Sequence, residues 1–245
     1  MTDPSAEYRF YAKPSKPEDE RASSEPVDLN EWGRLLDTQT QFGAGGRYGI
    51  ISEHFEGRGR VQRLLEIGCG AGIYVAHMEK FATQCYGADI YLERHLRRME
   101  STPLTFLEFN ANNEFPLEES FFDVVVAMMV MEHVFDPFHF CRELQRILRP
   151  SGILFINVPL VTAIGHRLTL LSGRLPVTSQ KDWFDNRAWD GGHLHYFTLP
   201  LLRKLLGICG FEIDLVRGVG RLHKWKTRFP TLLAKEVSVR ARKVA

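Results

Sequence analysis

The chain has little of what would tie it to a membrane, a disulfide framework or a charged polymer. No run approaches the roughly 20 apolar residues that a membrane-spanning helix needs. The longest, Val124 to Met131, has the length of a strand and is closed by Glu132 and His133. Met1 to Ser24 carries many charges with Pro4, Pro14 and Pro17, but no apolar core of the kind a secretory leader has. Only four cysteines occur in 245 residues, Cys69, Cys85, Cys141 and Cys209, and none forms a Cys-x-x-Cys pair. A reduced, cytoplasmic setting is the simplest expectation. The net charge of +1 makes the molecule as a whole no electrostatic trap for nucleic acid. What is present is ordinary for a globular protein, 44% hydrophobic and 25% charged residues, in a chain long enough to bury a substantial core.

Residues 1–28 read as a loosely held, polar tail, and residues 29–245 as one domain. Leu29 to Phe55 reads as a helical lead-in, broken at Gly43-Ala44-Gly45-Gly46. That cluster follows no strand and lacks a Gly-Lys-Ser/Thr ending, so it is expected to be a joint and not a phosphate loop. From Arg63 onward short apolar runs alternate with helical patterns. Leu64 to Ile67, Gln84 to Asp89, Leu104 to Phe109, Phe122 to Ala127 and Ile153 to Val158 read as five strands. Ile73 to Phe81 reads as a helix, and a second helical pattern runs to Arg98. Asp136 and Pro137 open a third helix, with Phe138, Cys141, Leu144 and Leu148 expected on its buried face. Such alternation builds a parallel sheet with right-handed crossovers. Val161 to Phe197 has no clean period and is expected to be an insertion over the sheet, at about 160–197. Thr198 caps another helix, which Gly210 ends; Phe211 to Val216 and Glu236 to Ala241 read as closing strands.

In such a sheet a ligand sits beyond the carboxyl ends of the strands. The first strand there runs into Glu66-Ile67-Gly68-Cys69-Gly70-Ala71-Gly72. Glycine at 68, 70 and 72 lets the backbone turn tightly and a ligand lie against it. A dinucleotide fingerprint would need its third glycine at position 73, which is Ile73. Asp89 ends strand two some twenty residues later, where a carboxylate can accept hydrogen bonds from both ribose hydroxyls.

The pattern Glu-x-Gly-x-Gly-x-Gly resembles motif I of class I S-adenosylmethionine-dependent methyltransferases, and residues 61–158 resemble that core almost continuously. The run Glu143 to Gly152 is included, with Ser151 standing where the family usually has glycine. The resemblance implies an α/β, Rossmann-like three-layer sandwich: a mostly parallel seven-stranded sheet with an antiparallel C-terminal strand and an insertion after strand five. It implies S-adenosyl-L-methionine as cofactor, held by Glu66, Gly68, Cys69, Gly70, Gly72, Asp89, Ile90, Asn110, Ala111 and Met128. Asn110 takes the position near the adenine amino group, with Asn112 and Asn113 close enough to share that role. Met128 would lend its backbone to the methionine portion, whereas Met129 and Met131 are expected to pack in the core.

The last third resembles two branches of the superfamily. Gly173 to Thr178, Trp183-Phe184-Asp185 and Phe229 to Leu233 look like the MetW-like branch. Gly191 to Thr198, with Leu205-Leu206 and Gly210-Phe211, resembles sugar and natural-product tailoring enzymes. The resulting expectation is a methyltransferase of a small-molecule acceptor, with oxygen on a sugar, lipid-linked or natural-product molecule as the broadest reading. The alternative is a cofactor-binding partner protein with little catalysis of its own. A hydroxyl acceptor calls for a general base near neutral pH, and His133, His193 and His195 are the candidates. A metal site from His193 and His195 lacks a third ligand in the sequence, so no metal ligand is assigned. The basic stretch Arg217, Arg221, Lys224, Lys226, Arg228, Arg240, Arg242 and Lys243 allows an anionic or carrier-linked acceptor. No RNA-binding module accompanies it, so nucleic acid is not an expected partner.

Overall fold

The computed structural model describes residues 38–92, 104–179 and 189–244. The expected tail, the end of the helical pattern to Arg98, and Trp183-Phe184-Asp185 lie outside those residues. Seven strands form one sheet: β1 (Val61–Ile67), β2 (Ala82–Asp89), β3 (Leu104–Glu108), β4 (Phe122–Met128), β5 (Leu148–Pro159), β6 (Phe211–Gly218) and β7 (Glu236–Lys243). Their order is β3-β2-β1-β4-β5-β7-β6. The pairs among β1 to β5 are parallel, and β7 runs antiparallel to both of its neighbours. The expected architecture is therefore present, with β7 as its reversed strand.

Side chains that alternate along a strand face opposite sides of a sheet, and a parallel sheet covered on both sides buries both sets. Leu65, Val125, Ala127, Leu154 and Ile156 belong to one core. Leu64, Val124, Val126, Ile153 and Phe155, their immediate neighbours in sequence, belong to the other. The first core is covered by helices Pro137–Ile147 and Leu199–Ile208, the second by Gly49–Phe55 and Ile73–His77. The lead-in is helical on both sides of its glycines, at Thr38–Phe42 and Gly49–Phe55. A Cβ at Gly49 would lie 2.1 Å from the Gly43 carbonyl oxygen, so glycine permits the joint to close on itself.

Three details differ from the sequence reading. Phe140, Cys141, Leu144 and Ile147 form the buried stripe of the helix Pro137–Ile147, while Phe138 is 42% exposed. The Asp136 carboxylate accepts the Phe138 amide at 2.8 Å; this cap fixes the rotation of the first turn and leaves that ring outside. Next, β5 begins at Leu148, five residues early, because Leu148 already pairs with Phe122 across a register shift. Finally, the insertion contains a helix, Ile164–Leu171, and a parallel bridge from Leu160 to Phe197 closes its base.

The parallel strands are clamped at their entry ends by Asp123. Its carboxylate accepts the amides of Gln62 (3.0 Å) and Arg63 (2.8 Å) and pairs with Arg149 at 2.6 Å. The turn after Arg149 places Ser151 at φ 61°, in the left-handed region where a side chain is strained. Ser151→Gly is expected to relieve that strain and stabilise the protein by about 0.5–1 kcal/mol, net of the extra freedom glycine gives the unfolded chain. Urea unfolding at fixed pH would show it as a higher midpoint.

Candidate functional site

Four strand ends and the insertion enclose one cavity of about 320 Å³. Ile67 and Gly68 come from the end of β1, Ala88 to Tyr91 from that of β2, Phe109 to Asn112 from β3, and Val130, His133, Val134 and Phe135 from beyond β4. Gly191, Gly192 and Leu194 of the insertion form the facing wall. The location agrees with the rule for open α/β sheets, and the size and mixed lining suit a small molecule.

The glycine loop is held by the end of β2. Gly68 and Cys69 both donate to the Ala88 carbonyl, at 2.8 and 3.0 Å, and Gly70 donates to the Asp89 carboxylate at 2.8 Å. Gly68 is at φ 77°, and a Cβ there would sit 2.5 Å from Val130 Cγ2. Gly70 is at φ 51° with open space around its missing Cβ. One glycine therefore admits a neighbouring side chain, and the other leaves the surface bare for a ligand. Asp89 keeps unused acceptor capacity, since a carboxylate has about four lone-pair sites.

The cavity brings together Gly68, Asp89, Ile90, Asn110 and Ala111 of the expected cofactor set. Asn110 Oδ1 accepts from both the backbone (2.9 Å) and the side chain (3.0 Å) of Asn112, so the pair acts as one rigid polar rim. Glu66, Cys69, Gly70, Gly72 and Met128 do not line the cavity. Met128 packs at the end of β4 in the second core, and Val130 reaches the cavity in its place. Tyr91, Phe109, Val134 and Phe135 are lining residues that the sequence reading did not select. Phe109 packs against Phe115 with the rings tilted and their centroids 5.0 Å apart, and Phe115 is anchored by its amide to Glu143 (2.7 Å). Arg146 ties Glu143 and the carbonyls of Phe115 and Leu117 together. An aromatic preceding the strand-end Asn110 was the only signal available for Phe109.

The three histidines occupy different places. His133 lines the cavity and gives its Nδ1 hydrogen to the Gly192 carbonyl at 3.0 Å. Burial lowers its pKa below the usual histidine range, so its other nitrogen carries a lone pair at neutral pH. His193 is buried, bonded through Nδ1 to Thr178 Oγ1 at 2.7 Å, and burial pushes its pKa down to about 4. His195 binds the Val134 carbonyl through Nε2 at 2.9 Å, so it ties the insertion to the segment after β4.

Comparison with known proteins gives the same answer as the loop and the sheet. The family model described as a methyltransferase domain matches residues 31–216. The chain belongs to that family. A relative from Mycolicibacterium smegmatis named "Probable S-adenosylmethionine-dependent methyltransferase" is 26% identical over 174 residues, covering 71% of this chain and 61% of its own length. A Mycobacterium tuberculosis protein of the same kind is 32% identical over 129 residues, 52% of this chain and 44% of its own. A ubiquinone biosynthesis O-methyltransferase of Vibrio cholerae is 29% identical over 101 residues, 39% and 41% of the two chains. The chain thus spans about half the length of these relatives. The solved S-adenosylmethionine-dependent methyltransferase of Mesorhizobium loti shares the fold, with TM-score 0.57 and 18% identity over 75% of this chain and 91% of that one. The chain therefore carries a methyltransferase domain on the fold of solved S-adenosylmethionine-dependent methyltransferases, which makes S-adenosylmethionine the expected cofactor.

Glu66 sits beneath the loop, fully buried, and accepts the Tyr48 hydroxyl at 2.7 Å. Burial, with Asp89 nearby, raises its pKa from 4.5 to about 8 despite that bond. Between those values the folded chain holds a proton that the unfolded chain has lost, so stability falls as pH rises through the window. The slope for one such proton is at most about 1.4 kcal/mol per pH unit. Thermal unfolding of ligand-free protein from pH 6.5 to 8 should show a falling Tm. Glu66→Gln should flatten that slope, leaving the part due to Glu132, which burial raises to about 8 as well. An unchanged slope in the variant would mean that Glu66 is already ionised.

Proposed function

We propose that the chain transfers the cofactor's methyl group to a hydroxyl oxygen of a small, lipid-linked acceptor. The single observation that carries the reading is one cavity in which the glycine loop, Asp89 and Asn110 meet His133. Asp89 holds the ribose hydroxyls, and the Asn110 to Asn112 rim faces the adenine; Gly68 and Ile90 line that side. Glu66, Cys69, Gly70 and Gly72 act on the cofactor through the loop they shape, and Met128 only through the strand end it packs. The cofactor supplies a methyl group already activated on a sulfonium. His133 sits where it can take the acceptor's hydroxyl proton while that oxygen bonds the methyl carbon and the carbon–sulfur electron pair returns to sulfur. His195 holds the segment carrying His133 through its bond to the Val134 carbonyl, and His193, fixed within the insertion by Thr178, packs against the His133 ring.

Oxygen as the acceptor atom is supported by the Vibrio cholerae relative's name. Lipid linkage is supported by the surface. Leu168, Leu171, Leu175 and Trp189 of the insertion are exposed, as are Leu222, Trp225 and Phe229. Arg167 joins the two groups by donating to the Thr231 carbonyl at 3.3 Å. Arg217 pairs with Glu53, and Arg240 and Arg242 with Asp214, so the excess positive charge falls on Arg221, Lys224, Lys226 and Arg228 beside those apolar residues. Apolar groups among cations suit an anionic, lipid-bearing acceptor. Among the described residues no helix is long and apolar enough to cross a membrane.

Incubating the protein with methyl-labelled cofactor and cell extract, then partitioning the products, tests the reading. Label should enter the organic phase; label confined to the aqueous phase would overturn lipid linkage. No transfer, together with a stably co-purifying protein, would favour the partner-protein alternative. Asp89→Ala should weaken S-adenosylmethionine binding about 10- to 100-fold by calorimetry, as expected for a lost pair of hydrogen bonds to a carboxylate. His133→Ala should keep that affinity and lose about 100-fold or more in methyl transfer.

A further inference from the structure

Immediately behind the cavity wall, Glu132, His133 and His193 each place one ligand atom within 4.8 Å of the others. Neither sequence spacing nor the family match assigns anything to this trio. Glu132 is fully buried, and both of its carboxylate oxygens are without a hydrogen-bond partner among the described residues. A buried carboxylate left that way is costly, and buried polar groups in native proteins are otherwise satisfied. His193 Nε2 stands 4.0 Å from Glu132 Oε1.

The surroundings fix the histidines for metal binding. Thr178 gives its one hydroxyl hydrogen to Asp190 Oδ2 at 2.6 Å, so its contact with His193 Nδ1 at 2.7 Å needs the hydrogen on Nδ1. Nε2 then carries the lone pair on the side of Glu132. His133 donates Nδ1–H to the Gly192 carbonyl, which leaves its Nε2 with the lone pair too. Metal-bound histidines almost always have the opposite nitrogen held by a carbonyl or a carboxylate network, and both residues meet that condition. Asp190, fully buried and at φ 40°, accepts the amides of Thr178 and Ser179 at 3.0 Å as well, so the support is rigid. Bonds of about 2.0–2.2 Å in a tetrahedron put ligand atoms roughly 3.4 Å apart, within about 1.5 Å of the present separations.

We propose that Glu132, His133 and His193 form a binding site for one divalent transition-metal ion of the zinc type, at the acceptor side of the cavity. Two imidazoles and one carboxylate, with a position left open, are the donor set of such an ion. Its open position would face the cavity that His133 lines. Held by these residues, such an ion would lower the pKa of an acceptor hydroxyl, and His133 would then serve as its ligand in place of acting as the base. The inference rests on the methyl-transfer reading only for this last role; the binding site itself does not.

Chelator-stripped full-length protein titrated with Co²⁺ and with Zn²⁺, by calorimetry and visible absorption, decides the matter. One ion per chain and a cobalt ligand-field spectrum are expected. Glu132→Gln should abolish both, and Thr178→Val should weaken binding about 10-fold through the lost support of His193. His77→Ala, in the helix after the glycine loop, should bind as the parent does; circular dichroism verifies that each variant is folded. No stoichiometric binding, or binding indifferent to Glu132→Gln and His133→Ala, would overturn the proposal. S-adenosylmethionine affinity measured on the same samples keeps the two failures apart. Lost metal binding with intact cofactor binding counts against the site alone.

Discussion

Three consecutive amides, those of Gly68, Cys69 and Gly70, end on two residues of the neighbouring strand, Ala88 and Asp89. The rest of the site depends on that bracket. It turns the chain off β1 across the end of β2, opens the crevice between β1 and β4, and holds the Asp89 carboxylate at its rim. The bracket needs positive φ at Gly68 and Gly70. It also needs Val130 where a Cβ on residue 68 would otherwise stand. The glycines are thus a condition for hydrogen bonding and packing together, and the bare surface is a consequence.

On the other side of the crevice the exit from β4 plays the equivalent part. Met129 adopts φ 59° and donates to the Asn157 carbonyl, which swings the following residues across the sheet's edge. The Glu132 carbonyl then accepts the amides of Leu194 and His195, at 2.7 and 3.2 Å. Through these two bonds the insertion returns to the strand ends and becomes a wall of the cavity. The same geometry buries the Glu132 side chain beside His193 and places His133 at the surface of the crevice. The two sides of the crevice are therefore built by different devices, a glycine turn and a strained strand exit, that meet over the same four strand ends.

Legibility followed the range of the interactions. The strands were readable because burial on both faces leaves continuous β-branched and aliphatic runs, as in Val124 to Ala127. The helix caps at Asp136 and Thr198 were readable because they act over three residues. Phe138 was misplaced because a face drawn from apolar spacing ignores the rotation that the Asp136 cap imposes. Val130 was not selected because the turn at Met129, which brings it to the cavity, cannot be seen in residue types. The helix at Ile164 to Leu171 was hidden because polarity and burial do not follow one period there: His166 is its buried residue, while Leu168 and Leu171 are exposed. In the insertion, His193 and His195 were alike as candidates for the same task. The fold instead separates them, one toward Thr178 and one toward Val134, and supplies His193 with a partner from sixty residues earlier.

What the sequence determined by itself was the sheet, its order of construction and the side of it that binds, because glycine placement and strand burial are local requirements with few solutions. Through its resemblance to a family motif, the glycine loop also implied the cofactor. Only the tertiary structure decided which residues gather behind the wall of the cavity. Glu132, His133 and His193 meet through backbone bonds between segments far apart in the chain, and no periodicity or spacing within either segment encodes that meeting.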